Sequence, residues 1–554
     1  MSESVTKQVS PAGRIELAIC LAATLVGAGL QVVYFAHAGA LWRDEAGGVQ
    51  LATLPAFSET WRMLAHDGFP VFFPALIRAW SALGLGASDV SLRILGLVIG
   101  FGMLGAMWLN GRIMGFRRPF VCLGLLAANA TFVTYGDSLR AYGCGSLFIL
   151  ITLGLVWKLL RQPGRATFLL AALAAILSVQ TLFQNAFLVL AICCAGLAVC
   201  ARQRQWKTAG LVLGVGLAAG VSLMPYLPLI IESQSWWLLQ KVGFDFARVW
   251  ERMTLAIGCL MDWTIWVWVG LVLITLGAGL AALREPAQKT GIGRQDLPLY
   301  GAAALAAGIA GFLIFIRISQ LPTELWYYLP LMVFAAAAMD GALANWFRRF
   351  QFWLAAFVVL MIFLLFPTAL QFAGYRQTNV DLIAAELQQR AKPGDFIVVF
   401  TCHCGVTFNR YYKGQIPWTT FPELSDHRFH RFDLLKEKEA APSKPELERA
   451  AQTLKSGHTL WLVIESPFES PGNTEPPGPP PAPWPDIPLG WQVGPYSQAW
   501  KEQLEYLVTA HAEQIEEISV KPEIPINLFE KLSFIRASGW RETAAAQPGL
   551  ATPP

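Results

Sequence analysis

Eleven apolar stretches, at about 15–34, 93–110, 119–135, 141–157, 166–181, 184–201, 208–230, 262–283, 298–316, 326–344 and 352–373, leave few architectures open to this chain. Several approach the roughly 20 residues that a helix needs to cross a bilayer. Inside lipid the backbone must satisfy its own hydrogen bonds, which a helix does. The chain therefore reads as an α-helical polytopic membrane protein. Its composition agrees: 55% of the 554 residues are hydrophobic and only 14% are charged. A net charge of +4 and the lack of a basic stripe interleaved with aromatics argue against nucleic acid as a partner. The first stretch, Ile15 to Tyr34, precedes "AHA" but is longer than the apolar region of a cleaved signal peptide, so it is expected to remain as an anchor.

Short loops rich in Lys and Arg face the cytoplasm. With these spans, Arg112/Arg117/Arg118, Lys158/Arg161/Arg165, Arg202/Arg204/Lys207, Arg284/Lys289/Arg294 and Arg348/Arg349 all fall on the N-terminal side of the membrane. The segment "FPVFFPALIRAWSALGLG", 69–86, would reverse every later loop if it crossed. Because it carries Pro70, Pro74 and Arg78, it is expected to lie in the interface as an amphipathic or re-entrant helix with the arginine snorkelling outward. A membrane domain then spans residues 1–374, with a first external loop at 36–92, and an extracytoplasmic domain spans 375–554. In the latter, "NVDLIAAELQQRAKPGDFIVVF" predicts helix, turn and buried strand, and "SGHTLWLVIES" predicts a second strand. An α/β layered domain follows, interrupted by a proline-rich insertion at 467–488.

Ionisable residues in or beside membrane helices pair with one another or line polar cavities. Here Asp44, Glu45, His66, Asp67, Arg93, Asp137, Arg140, Arg317 and Glu324 collect on the external side. A carboxylate can serve as general base towards a hydroxyl, and arginines can hold phosphate oxygens through charge-assisted bonds. By themselves Arg43, Asp44 and Glu45 fit an interfacial ion pair equally well. The run "TCHCG", 401–405, has Cys-x-Cys rather than the two-residue spacing of a zinc knuckle, and ordinary loop or strand-end residues are the simpler reading. No Gly-rich phosphate loop or Ser-His-Asp arrangement stands out. Seven of the nine cysteines lie in or beside apolar runs, where free thiols act as small hydrophobes.

The order "LWRDEA", "LAHDGFPVFFPALIRAW", "SLRILGLVIG", "TFVTYGDSLRAYG" resembles the GT-C superfamily of membrane glycosyltransferases. The nearest branch resembles bacterial relatives of protein O-mannosyltransferases and the lipid A aminoarabinose transferase. The ordered motifs cover about 15–200, and a looser likeness continues through "WYYLPLMVFAAAAM" and the α/β tail. The resemblance implies inverting transfer of a sugar from a polyprenyl-phosphate carrier to an acceptor hydroxyl on a glycolipid, polysaccharide or protein, at the outer face of the cytoplasmic membrane. It implies Asp44 as catalytic base with Glu45 in support, His66 and Asp67 on the acceptor side, and Arg93, Arg140 and Tyr142 at the departing phosphate.

Three departures from the family pattern stand out. "HDGFPV" has one proline where the family has two, Asp137 in "GDSLRAY" is displaced, and "ELWYYLP" lacks a preceding basic residue, for which Arg317 or Lys241 would substitute. Asp44, Glu45 and Asp67 also offer the oxygen ligands that Mg²⁺ or Mn²⁺ prefers, so metal-assisted and arginine-only versions both stand. Competing readings are a flippase for lipid-linked sugars and an inactive membrane scaffold. The chain shows no internal repeat of the kind transporters carry.

Overall fold

The computed structural model describes residues 11–116, 118–286, 291–344, 350–441, 444–465, 468, 474–485 and 490–542. Arg117, Lys289, Arg348, Arg349 and the flanks of the proline-rich insertion lie outside the described residues. Residues 474–485 of that insertion carry neither helix nor strand. The chain divides into two compact units: 1–37, 69–227 and 243–374 form one, and 38–68, 228–242 and 375–554 form the other. The second unit thus takes in two stretches, 38–68 and 228–242, that the sequence reading grouped with the membrane part.

Nine helices among the described residues are long and apolar enough to cross a membrane: Gly13–His37, Asp89–Met114, Ala141–Arg161, Asn185–Arg202, Trp206–Gln240, Thr264–Arg284, Arg294–Ser319, Leu325–Leu343 and Phe352–Ala373. At 1.5 Å per residue, about 20 residues cover the roughly 30 Å hydrocarbon layer. Leu217, Phe352 and Phe363 stand exposed on these helices, as a surface facing lipid tails requires. The architecture is that of a polytopic helical membrane protein with an α/β part.

The other two expected spans take shorter forms. Residues 166–181 form the 15-residue helix Arg165–Val179. The run 119–135 breaks into Phe120–Leu126 and Ala130–Gly136. Each new N-terminus leaves N–H groups without an intrahelical acceptor, and in a dry interior each would cost several kcal/mol. Asp340 accepts from Val121 N at 2.8 Å and Cys122 N at 2.9 Å, and Asn129 accepts from Phe132 N at 2.8 Å. A side chain more than 200 residues downstream therefore makes the first of these helix starts tolerable. The segment 69–86 forms the short helix Phe72–Trp80, prolonged by a wider turn to Leu85.

The second unit holds a five-stranded sheet: β1 (Phe396–Phe400), β2 (Trp418–Thr420), β3 (Leu460–Ile464), β4 (Gln514–Glu517) and β5 (Ser533–Ser538). The order is β2-β1-β3-β5-β4, with β1 parallel to β2 and β3, and β5 antiparallel to β3 and β4. Successive strand side chains alternate between faces. Phe396, Val398, Phe400, Leu460, Leu462 and Ile464 enter one core with Trp500 and Leu504 of helix Val493–His511. Ile397, Val399, Trp461 and Val463 enter the other with Ile383 and Leu387 of helix Val380–Arg390. Burial on both faces explains why "FIVVF" and "LWLVI" are apolar throughout rather than alternating. The turn into β1 places Gly394 at φ 96°, a conformation open to glycine at little cost. Beside it the Asp395 carboxylate accepts from Lys392 N, Thr459 N and Trp461 Nε1 at 2.9–3.0 Å.

Candidate active site

In the second unit, the residues singled out in "RDEAGG" open the helix Arg43–Ala52. Acidic side chains in a first turn face the positive end of the helix dipole, which suits Asp44 and Glu45. Successive residues point about 100° apart on a helix, so the two separate: Glu45 is fully buried, while Asp44 keeps 19% of its side chain exposed. Asp44 Oδ1 lies 3.4 Å from His430 Nε2 and 3.9 Å from Arg43 Nε. Arg43 Nη1 donates to Glu465 Oε1 at 3.0 Å, and its backbone N–H donates to Glu530 Oε2 at 2.9 Å. Glu465 also accepts from Thr401 Oγ1 and Cys404 Sγ, and Glu530 from Thr407 Oγ1 at 2.6 Å.

The electrostatics of this knot follow from burial and charge together. Burial opposes the charge of Arg43, but Cys404, Asp44, Glu465 and Glu530 outweigh it and hold the guanidinium above its usual range. Burial pushes Glu530 up to about 8 against the bonds from Arg43 and Thr407. His403, packed edge-on to His430 with ring centroids 5.4 Å apart, is driven down to about 3 by burial, with His430 and Arg43 adding to the effect. Burial pushes the Cys402 thiol up to about 12, with Glu465 adding to the effect.

His66 lies in the same unit, its ring stacked on Trp236 at 5.0 Å and its Nδ1 3.7 Å from Asp433 Oδ1. Burial lowers His66 below the ordinary histidine value, against the pull of Asp433. Arg431 bridges Asp433 at 2.6 Å and Asp426 at 3.0 Å. Asp67, half-buried, follows the short helical turn Leu64–His66. Lys241 also belongs here; its carbonyl accepts from Gln492 Nε2 at 2.9 Å. Among the described residues no group of three or more His, Cys, Asp or Glu is arranged to hold a metal ion.

The arginines expected at the phosphate belong to the other unit. Arg140 is the residue before helix Ala141–Arg161, and its guanidinium stands 4.5 Å over the ring of Phe69. Phe69 packs edge-on against Tyr142 at 5.4 Å, and Tyr142 lies 5.6 Å from Tyr327. One compact cluster thus gathers Arg140, Tyr142 and a tyrosine of the "LWYYLP" motif. Arg93 is buried one helical turn before Gly96, whose missing side chain admits the Asp137 carbonyl: a Cβ there would meet that oxygen at 2.1 Å. This close approach sets the helix that carries Arg93 against the Asp137 backbone. Arg317 is exposed in the last turn of helix Leu297–Ser319. Arg252 pairs with Glu324 of the late motif at 3.3 Å.

No family model matches the chain, and no curated protein matches it. The chain is similar to a solved structure of ArnT from Cupriavidus metallidurans bound to undecaprenyl phosphate, at 13% identity and a TM-score of 0.47, over 82% of this chain and 93% of that one. It is also similar to arabinosyltransferase EmbB from Mycobacterium smegmatis, at 15% identity and a TM-score of 0.35, over 66% of this chain and 31% of that one.

Sequence reasoning missed His430, Glu465, Glu530 and Arg252. One signal was present: three of the seven histidines fall within 403–430, and "SDHRFHRFD", 425–433, packs charge and aromatics into nine residues. Such density is unusual for a solvated loop, which has no need of alternating Phe.

Proposed function

We propose that the chain is a glycosyltransferase that moves a sugar from a polyprenyl-phosphate carrier to an acceptor hydroxyl on a glycolipid, polysaccharide or protein. In this reading it is a multi-pass protein of the inner (plasma) membrane, and its α/β unit is extracytoplasmic. The observation that carries the proposal is Asp44: a carboxylate at a helix start, flanked by Arg43 and His430, and itself partly exposed. The Arg43 guanidinium beside it suits a carboxylate, the form a general base needs.

Asp44 takes the proton of the acceptor hydroxyl as that oxygen attacks the anomeric carbon. The bond from that carbon to the phosphate oxygen breaks, and polyprenyl phosphate leaves with the electron pair. A single displacement inverts the anomeric centre. Arg140 and Arg93 are assigned to the charge that develops on the phosphate, where preorganised donors contribute most, and Tyr142 to orienting it. His66 and Asp67 are assigned to the acceptor side, and Glu45, buried in the turn of Asp44, to support of the base. Asp44, Glu45 and Asp67 also offer oxygen ligands that Mg²⁺ or Mn²⁺ would accept, and the steps above use the side chains alone.

The test is transfer itself. Purified protein in nanodiscs is given polyprenyl-phosphate sugars and a panel of hydroxylated acceptors, and the product is analysed for its anomeric configuration. An inverted glycoside supports the reading. Retention of configuration, or no transfer with any donor, refutes it.

A further inference from the structure

Three loops of the α/β unit end at one place. His403 follows β1, His430 follows β2 and Glu465 follows β3; His430 faces Asp44, Glu465 pairs with Arg43, and His403 packs edge-on against His430. In open parallel sheets, ligands bind beyond the carboxyl ends of the strands, where neighbouring connections leave in opposite directions. Because β1 lies between β2 and β3, that point is here. This unit fills it with the start of helix Arg43–Ala52.

His430 is set for one role. Its Nδ1 is buried without a hydrogen-bond partner among the described residues, whereas Nε2 faces Asp44 Oδ1 at 3.4 Å. A buried N–H without an acceptor costs about 1–3 kcal/mol, so the ring proton belongs on Nε2. Phe432 stacks on the ring at 5.9 Å and His403 meets it edge-on, which fixes its plane. Catalytic hydrogen bonds are often long before substrate binds and tighten afterwards.

We propose that His430 is a positioning residue for the transfer described above: its Nε2–H donates to Asp44 Oδ1 and fixes the rotation of the carboxylate that takes the acceptor proton. The imidazole proton does not move. The α/β unit is therefore part of the catalytic apparatus, since it supplies the group that aims the base. This inference rests on the proposed function.

The test uses the full-length protein in nanodiscs with a polyprenyl-phosphate sugar, comparing wild type, His430→Ala and His430→Gln. Arg43, His403, Glu465 and Glu530 face the same knot and are unchanged in both variants. His430→Ala is expected to lower kcat about 10–100-fold, with the KM values of donor and acceptor within about twofold. The acid limb of kcat/KM should move to higher pH by about half a unit to one unit, because the carboxylate has lost an N–H donor. His430→Gln keeps a donor and should recover kcat to within about threefold of wild type. If alanine melts early, the glutamine variant decides: a kcat below about a tenth of wild type contradicts the inference. Wild-type turnover that His430→Ala leaves unchanged, or lowers with an unmoved acid limb, overturns this inference alone. Absence of wild-type turnover overturns the proposed function and this inference with it.

Discussion

Asp44 and Arg140 sit in short local motifs, and both were legible for that reason: an acid at the mouth of a span and an arginine before one are visible in a few adjacent letters. His430 and Glu465 were not, because they reach Arg43 and Asp44 across 386 and 422 residues, through a parallel sheet whose register no local pattern encodes. The buried acids of the α/β unit give one residue-scale prediction. Burial raises Glu439 to about 8, and neither of its oxygens has a hydrogen-bond partner among the described residues. Its folded value lies above its unfolded one, so the folded state binds more protons between about pH 4.5 and 8, and stability falls as pH rises through that window. Glu439→Gln should therefore melt higher than wild type at pH 8 and equally at pH 4.5, which thermal unfolding followed by tryptophan fluorescence will read. A second prediction concerns Arg140. Lysine keeps the charge but loses the planar stack on Phe69 and the fork that matches phosphate. Arg140→Lys should lower kcat/KM by about 10²-fold in initial-rate assays with the lipid-linked donor.

Among the elements, the nine long helices and strands β1 and β3 were readable from periodicity and length. The break at 119–135 was not, because an uninterrupted apolar run gives no sign that a carboxylate at 340 will cap a helix start inside it. Arg252 was overlooked for a similar reason: its partner Glu324 is 72 residues away. The close approach of helix Asp89–Met114 to Asp137 supplies a prediction at this scale. Gly96→Ala forces a Cβ against the Asp137 carbonyl, whereas Gly105→Ala on the same helix meets nothing within 4 Å. The first should destabilise by about 1–3 kcal/mol and reduce transfer. The second should be neutral or stabilising by up to about 1 kcal/mol. Thermal melts of the two variants in one detergent check the contrast.

At the level of the whole molecule, the pH response combines opposing groups in the α/β unit. Burial holds His427 at about 4 and His403 at about 3, below the unfolded value of 6.5, so their contribution is present above pH 6.5 and is lost as pH falls towards 4 and 3. Burial would raise Asp426, but Arg428 and Arg431 outweigh it and hold it at about 2, so its stabilisation fades below pH 3.8. Glu439 and Glu530 act from the alkaline side. Between about pH 4.5 and 6.5 the two histidines and the two glutamates oppose one another, so stability of the α/β unit should be nearly level there, decline above about pH 6.5 and decline again below about pH 4.5; a melting series from about pH 3 to 8 checks that curve. The account as a whole stands on Asp44 as the base. The most direct measurement is kcat/KM for transfer from a polyprenyl-phosphate sugar by wild type and Asp44→Asn, at equal folded fraction. The account predicts a loss of at least about 10²-fold, the size expected when a general base is removed; transfer by Asp44→Asn within about threefold of wild type would contradict it.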